Sequence, residues 1–358
     1  MRQVLCLASV PWQTVPQRTQ QLMARLRDTE VLYCEPDDGK KGWKRPGRRV
    51  RPGVVACTLP PVDPEGSRRR LLRRDPANAA RYIQEQLAHY HFREPVLWCA
   101  DSSGARYLDQ LAYRGLVYDC DRDWPEYPVQ WESDLAMAAD VCFAASPDLA
   151  DHLKPCCGNV VLLPNGCNYP MFAHDELPVP DALRPLPRPI LGYEGTLWAD
   201  LDLGPLLKTA LSHAEYQIVL LGEAEDNPQL PELLALPNVH HLGFIPPVDL
   251  PDHLCALDVC LSLTRRGHMD DDVVSPRMYE YLSTGKPLVA MLRPGQVEDF
   301  PDVVYGAHTP AEFSVLCARA LEETGTLARD RRRAYGEAAA WSARAARASD
   351  ILENIGLF

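Results

Sequence analysis

Short apolar runs alternate along the chain with longer segments whose apolar residues recur every three or four positions. The first pattern predicts buried strands and the second amphipathic helices, and their alternation predicts doubly wound α/β layers. In the first half the strand-like runs are QVLCLASV, EVLYCE, GVVACTL, PVLWCA, GLVYDC, DVCFAAS and NVVLLPN. Between them RTQQLMARLRD, NAARYIQEQLAHY and ARYLDQLAYR have helical spacing. The second half repeats the scheme with strands PILGYEG, QIVLLGE, VHHLGFI, DVCLSLT and KPLVAML. Its intervening helices are DLGPLLKTALSH, NPQLPELLAL, DLPDHLCALD and SPRMYEYLSTG.

The stretch YPMFAHDELPVPDALRPLPRP separates the halves, is proline-rich and lacks periodicity, and so reads as a linker. The expected organisation is one Rossmann-like domain over 1–168, a linker over 169–188 and a second such domain over 189–335. A C-terminal helix over 336–358, with Trp341 as an anchor, is expected to cross back onto the first domain. A length of 358 residues suits two cores better than one. Two open parallel sheets would place a cleft between them, with ligands outside the carboxyl ends of the strands.

Composition excludes several classes of protein. Apolar and charged fractions are ordinary, which argues against global disorder. No uncharged apolar run is long enough to span a bilayer, and the opening MRQVLCLASVPWQ reads as a first strand rather than a leader. The twelve cysteines are scattered through strand-like runs without a C-x-x-C pair, which points to buried free thiols in a reducing compartment. The net charge of −12 conceals a basic segment. Residues 40–74 hold twelve Lys and Arg against Asp63 and Glu65. A solvated loop, an anionic lipid surface, a phosphorylated acceptor or a nucleic acid would each suit that stretch.

Candidate chemistry concentrates in DDDVVSPRMYEYLSTGKPLVA, Asp270 to Ala290. Ser275 suits an N-cap and Pro276 the first helical position. The free N–H groups at that terminus and the helix dipole favour a phosphate. Glu280, one turn further on, could accept bonds from two vicinal hydroxyls. Arg277 opposes the dipole unless an anion faces it. GYEGTLW, Gly192 to Trp198, follows a strand with glycines that let backbone approach a ligand. The plainer reading is a core helix with an acidic loop in front of it.

The order GYEG, NVHHLGF, DVCLSL, D-VVSPRMY-E and GKPLVA resembles the nucleotide-sugar domain of two-domain (GT-B) glycosyltransferases, in the group around glycosyltransferase family 4. YDCDRDW, WESDLAMAADVCFAASPDLADHL, VVLLPNGCNYPMF and PWQTVPQRTQQLMARL extend the likeness into the acceptor domain of polysaccharide-building relatives. The resemblance implies transfer of a sugar from a nucleoside diphosphate to a hydroxyl of a polysaccharide or lipid-linked precursor, with retention favoured. It implies that Glu280 accepts the ribose hydroxyls and that Asp272 faces the donor sugar. Backbone around Val274 and Ser275, with Gly192, Gly195 and Thr196, would hold the diphosphate, while Phe244 and Ile245 would cover the base.

One departure from the family pattern stands out. No cation follows the glycine turn before Lys208, where relatives carry an Arg and a Lys. Arg265, Arg266 and Arg277 are the candidates to neutralise the leaving diphosphate. In the first domain, Asp121 or Asp123 could serve as base, with Asp119 on the same side of the strand. Trp12 and Arg18 could contact the acceptor. Asp119-Cys-Asp121 matches a D-x-D metal motif by letter, but it falls in the wrong domain for a donor diphosphate. No metal and no cofactor beyond the donor is expected, and the His pair at 240–241 reads as strand filling.

The expected location is cytoplasmic, peripheral contact with an anionic membrane face being one option for residues 40–74. Three other readings remain: a sugar-nucleotide 2-epimerase of the same fold, a non-catalytic nucleotide-binding relative, and a transferase acting on nucleic acid. The acidic overall charge disfavours the last of these.

Overall fold

The computed structural model describes residues 1–36, 47–61, 76–265, 272–293, 296, 300 and 302–358. The chain forms two compact units: residues 1–165 with 341–358, and residues 166–340. Much of the basic segment 40–74, including Trp43, Leu71 and Leu72, lies outside the described residues.

Unit 1 is built on a sheet in the order β3-β4-β2-β1-β5-β6-β7-β8 among the described residues. Its strands are β1 (Arg2–Leu7), β2 (Thr29–Glu35), β3 (Arg48–Arg51), β4 (Val54–Thr58), β5 (Val96–Cys99), β6 (Gly115–Cys120), β7 (Val141–Ala144) and β8 (Val160–Leu162). All pair in parallel except β3, which runs antiparallel to β4 at the edge. The central strands are buried along their whole length, because helices cover both faces of a parallel sheet and leave no strand position in water. The helices are α1 (Arg18–Met23), α2 (Pro76–His89), α3 (Val129–Ala138) and α4 (Pro147–Leu153). Trp98 and Phe143 meet in the core with ring centroids 5.4 Å apart.

Unit 2 carries a sheet in the order β11-β10-β9-β12-β13-β14, every ladder parallel. The strands are β9 (Ile190–Glu194), β10 (Gln217–Leu221), β11 (Val239–Gly243), β12 (Val259–Ser262), β13 (Leu288–Met291) and β14 (Tyr305–Ala307). The helices are α5 (Tyr169–Phe172), α6 (Gly204–Ser212), α7 (Leu230–Leu234), α8 (Leu250–Ala256), α9 (Pro276–Thr284), α10 (Pro310–Leu321) and α11 (Leu327–Ala338). Arg332 of α11 is buried and ion-paired with Glu323, and it also donates to the carbonyls of Val303 and Gly285.

The structure departs from the sequence expectation in four places. The helix expected over ARYLDQLAYR is a short 3-10 helix, Ser102–Tyr107, capped by Asp101. Gly104 there packs so closely on Cys99 that a Cβ would lie 2.5 Å from its sulfur, and the chain then turns to bury Tyr107 and Leu111. Arg48–Arg51, inside the basic segment for which no strand was expected, is the edge strand β3. The proline-rich stretch after residue 168 folds into unit 2, with Phe172 and Leu183 buried in its core.

The C-terminal helical run is broken at Ala339, whose carbonyl accepts the Cys167 N–H at 3.1 Å instead of continuing the ladder. A new helix, α12 (Trp341–Asn354), then returns to unit 1 and packs on α1. Trp341, Ala345, Ala348, Leu352 and Leu357 lie in the unit 1 core. Burying side chains of the size of Trp341, Leu352 and Leu357 contributes about 1.5–3 kcal/mol each, together comparable to a domain's net stability. Deleting residues 341–358 is therefore expected to unfold unit 1 and leave unit 2 folded. Scanning calorimetry should show one lost transition and one retained, and retention of both would contradict the assignment.

Candidate active site

In unit 2 the chain crosses from one side of the sheet to the other between β9 and β12, and in such sheets ligands sit outside the carboxyl ends at that crossing. Here β9 and β10 end in the glycines Gly195 and Gly222. Gly195 has φ +141° and donates to the Leu221 carbonyl at 2.8 Å. Gly222 has φ +147°, and a Cβ on it would lie 2.1 Å from the Gly195 carbonyl oxygen. The turns therefore have space only for backbone, which leaves the ends of β9 and β10 open to a ligand.

Facing them is α9, with Ser275 extended at its N-cap (φ −67°, ψ 148°) and Pro276 in the first turn. The Ser275 side chain makes no capping hydrogen bond, and α9 stops at Gly285, whose φ is +80°. Arg277 turns back to β9 and pairs with Glu194, Nε to Oε2 2.9 Å. Gly195 allows this approach, since a Cβ there would stand 3.0 Å from Arg277 Nε. The Tyr281 hydroxyl accepts the Glu194 N–H at 2.7 Å and donates to the Glu194 carbonyl at 3.3 Å. Strand end and helix are thus locked together.

Glu280 is half-buried in this cluster, and its carboxyl is pushed up to about 8. Burial is the first cause and the neighbouring Glu194 the second, with Arg277 opposing both. Burial also raises Glu194, against the pull of Arg277. For Arg277, the desolvation that would lower its pKa is outweighed by Glu194, so the net direction is upward.

The other expected donor residues fall around this cluster unevenly. Asp272 is buried, and its carbonyl accepts from Gln296 at 2.9 Å. Val274 packs against the unit 2 core, and the Thr196 carbonyl accepts the Tyr193 hydroxyl at 3.3 Å. Phe244 is exposed beyond β11, while Ile245 leans on the core. Gly192 lies inside β9, where its missing Cβ makes room for Leu257, 2.4 Å from where that atom would stand; packing, not ligand approach, accounts for it. Arg265 is held by Asp200 with three contacts of 2.7–3.1 Å and lies over the Trp198 ring. Arg266 lies outside the described residues.

Sequence reading missed Glu194, Tyr281 and Asp200. The Glu in GYEG was the available signal, because an acid closing a buried strand needs a partner. His240 and His241 contact Gln217 Oε1 and the Gly222 carbonyl, both at 2.8 Å, as strand residues would.

Unit 1 presents a second charged cluster at the carboxyl end of β6. Arg18, at the start of α1, is 3% exposed and sends Nε and Nη2 to Asp119 Oδ1 at 2.9 and 2.7 Å. Its Nη1 reaches Asn165 Oδ1 at 3.4 Å. Arg18 is therefore the internal counter-ion of Asp119, and the acceptor contact expected of it is not available in this arrangement. Asp121, just past the strand, is pushed up to about 6, by burial first and by Asp119, with Arg18 pulling the other way. Asp123 lies two residues further on, half-buried. Trp12 meets Tyr33 edge-on at 5.0 Å between ring centroids, and its backbone N–H is accepted by Glu35 Oε2 at 2.9 Å. It belongs to the packing of β2.

Two comparisons bear on the class of protein. Residues 204–352 match a family model described as glycosyl transferase-like. The chain is 26% identical over 168 residues to the putative teichuronic acid biosynthesis glycosyltransferase TuaH of Bacillus subtilis (strain 168). That match covers 45% of this chain and 42% of the relative, so it spans under half of the relative's length.

Solved structures match over nearly the whole chain. Sucrose-phosphate synthase from Thermosynechococcus elongatus aligns with a TM-score of 0.75 at 15% identity, covering 99% of both chains. Anabaena HepE, in complex with UDP and glucose, aligns at 0.70 and 16% identity, again covering 99% of each. The chain has the GT-B fold, an α/β architecture of two Rossmann-like parallel-sheet units.

The raised carboxyl of Glu280 has a consequence for stability. Its folded pKa of about 8 exceeds the ordinary value of 4.5, so the folded state holds an extra proton between them. The stability that proton confers is lost as pH rises through that window. Glu280→Gln should be near-neutral at pH 5 and raise Tm progressively from there to pH 9. A Tm difference that is flat with pH would contradict the assigned burial.

Proposed function

We propose that this protein is a glycosyltransferase that moves a sugar from a nucleoside diphosphate to a hydroxyl acceptor. The observation that carries the reading is the join at the ends of β9 and β10. There the close Gly195–Gly222 turns, the N-terminus of α9 and Glu280 lie at the crossing point of a Rossmann-like sheet. In that arrangement the first-turn amides of α9 would take the diphosphate, and Glu280 the ribose hydroxyls. Asp272 would take hydroxyls of the sugar, and Phe244 with Ile245 would cover the base.

In the transfer, the bond from the sugar's anomeric carbon to the diphosphate oxygen breaks and its electron pair leaves on the diphosphate. The acceptor oxygen bonds to that carbon and gives up its proton. Arg277, and Arg265 with it, are proposed to meet the charge as it develops, with no metal required. Asp121 or Asp123 in unit 1 is proposed to receive or orient the acceptor hydroxyl. A pKa of about 6 leaves Asp121 mostly ionised at neutral pH and able to act as a base. Retention of configuration follows the family resemblance. The acceptor is proposed to be a polysaccharide or lipid-linked precursor, a reading supported by the match to a relative named for teichuronic acid biosynthesis.

Peripheral attachment to an anionic membrane face is part of the proposal. The exposed Arg49 and Arg51 of β3 support it. Among the described residues no helix is long and apolar enough to cross a membrane.

A second reading, a non-catalytic nucleotide-binding relative, is favoured by one observation. Both Arg265 and Arg277 already have carboxylate partners, Asp200 and Glu194. The experiment that separates the readings incubates the protein with a panel of UDP-, GDP-, ADP- and dTDP-sugars, with and without polysaccharide acceptors. A transferase releases the nucleoside diphosphate in step with acceptor glycosylation, and an epimerase converts the donor alone. Arg277→Ala is expected to lower turnover by about 10²–10³-fold. No turnover by folded, nucleotide-binding protein under any condition would establish the non-catalytic reading.

A further inference from the structure

The C-terminal end of α9 borders a cavity of about 630 Å³ that plays no part in the proposed transfer. The cavity lies within unit 2 at the amino ends of β9, β12 and β13, where Pro189, Asp258 and Pro287 stand just before the strands. These ladders are parallel, so it is at the opposite end of the sheet from Gly195 and Gly222. The nine residues of α9 span ~14 Å between the two places.

Among the described residues, Arg188, Lys286, Arg329 and Arg333 bring positive charge to the cavity wall. Gly285 lets two of them converge, because a Cβ on it would lie 2.4 Å from Arg329 Cγ and 3.2 Å from Arg333 Nε. Both guanidinium groups then reach Asp175 Oδ1, at 3.5 and 2.7 Å. Lys286 follows Gly285 directly in the chain. Its ammonium acts together with Arg333 on the Cys255 thiol of the same wall: burial raises that thiol's pKa, and the two cations pull the other way.

Helix ends account for only part of this charge. The last carbonyls of α9 are already met, Thr284 by Arg333 at 3.3 Å and Gly285 by the buried Arg332, also at 3.3 Å. Arg188 is engaged at the end of α8, donating to the Ala256 carbonyl at 2.7 Å and pairing with Asp258 at 2.8 Å. Lys286 makes no side-chain hydrogen bond or ion pair among the described residues. The contacts of Arg329 to Asp175 and Asp330 are long, 3.5 and 3.4 Å. Asp175, 72% exposed, is one carboxylate shared by two guanidinium groups that stand one turn apart on α11, where like charges repel.

We infer that this cavity is a second anion site, for a phosphomonoester whose phosphate is held by Lys286 and Arg329. The inference does not rest on the transferase reading. A phosphate monoester carries about two negative charges and three acceptor oxygens, enough to meet a point ammonium and a guanidinium fork together. A carboxylate, with one charge, would leave one of the two cations unanswered. The cavity is within the size range of small-molecule sites and larger than a phosphate needs, which leaves room for the group that carries it. No Phe, Tyr or Trp is among its described wall residues, so a nucleobase would find no ring to stack on. A sugar phosphate or a phosphatidic acid headgroup would each supply the required chemistry.

The test titrates the full chain calorimetrically with inorganic phosphate, ribose 5-phosphate and ribose. Co-sedimentation uses vesicles of four parts phosphatidylcholine to one of phosphatidic acid, with pure phosphatidylcholine as the blank. Saturable binding of at least one phosphate probe is expected, with none to ribose or to the blank. Lys286→Met and Arg329→Gln should each weaken it about tenfold. Arg331→Gln, on the exposed side of the same helix and outside the cavity wall, should leave it unchanged. Thermal melts on each variant guard against loss of fold.

Binding of the soluble phosphates identifies a metabolite as the source, and binding of the vesicles alone identifies a lipid headgroup; either supports the site. Absence of binding to every phosphate probe overturns it. Full affinity in both Lys286→Met and Arg329→Gln also overturns it, since the phosphate would then be held elsewhere, by the other end of α9 or by the basic segment. Equal weakening by Arg331→Gln would reduce the effect to diffuse charge on α11 and overturn it as well.

Discussion

One guanidinium organises unit 2. Arg277 lies in the first turn of α9, where a positive charge opposes the helix dipole, and it is tolerable there because Glu194 at the end of β9 answers it. The pair ties helix to strand across the crossing point of the sheet. Gly195 exists in its unusual backbone conformation partly to let that guanidinium pass. Glu280, three residues along α9, then finds one cation shared between two acids, and its proton is retained to near pH 8. A ligand that brings hydroxyls to Glu280 and phosphate charge to Arg277 would relieve both mismatches at once. On the proposed function, a nucleoside diphosphate sugar is that ligand.

Unit 1 shows the same economy with different residues. Arg18 and Asp119 form a buried pair at the carboxyl end of β6, and the pair uses only one of the two Asp119 oxygens. Asp121 follows in a position where burial and Asp119 raise its pKa and Arg18 holds it back. A buried pair of this kind contributes little net stability compared with well-packed apolar residues, so its value lies in what it does to its neighbour. The stretch Asp119 to Asp121 thus carries one partner of a buried charge pair and the acid that the pair tunes.

The alternation of buried strands and amphipathic helices was legible because parallel strands covered on both faces leave uninterrupted apolar runs. Ser275 at the N-cap and Pro276 in the first turn of α9 were legible for an equally local reason. Arg48–Arg51 was not, since an edge strand need not be apolar and its pairing with β4 is a tertiary fact. The break at Ala339 was hidden because nothing in AAAWSAR stops a helix; the carbonyl is taken by the distant Cys167. Glu194 and Arg18 were visible as letters, but their roles depend on partners 83 and 101 positions away. Spacing within a helix reveals a site's frame, whereas charge pairing between elements reveals which groups remain available.

The central claim is that unit 2 holds a nucleoside diphosphate through α9 and Glu280. Isothermal titration of the full chain with UDP, GDP, ADP and dTDP, repeated on Glu280→Ala, tests it most directly. The account predicts saturable binding of one of these nucleotides by the wild type and its loss in the variant, while the variant stays folded. Absence of binding to all four by folded wild-type protein, or equal affinity in the variant, would contradict it.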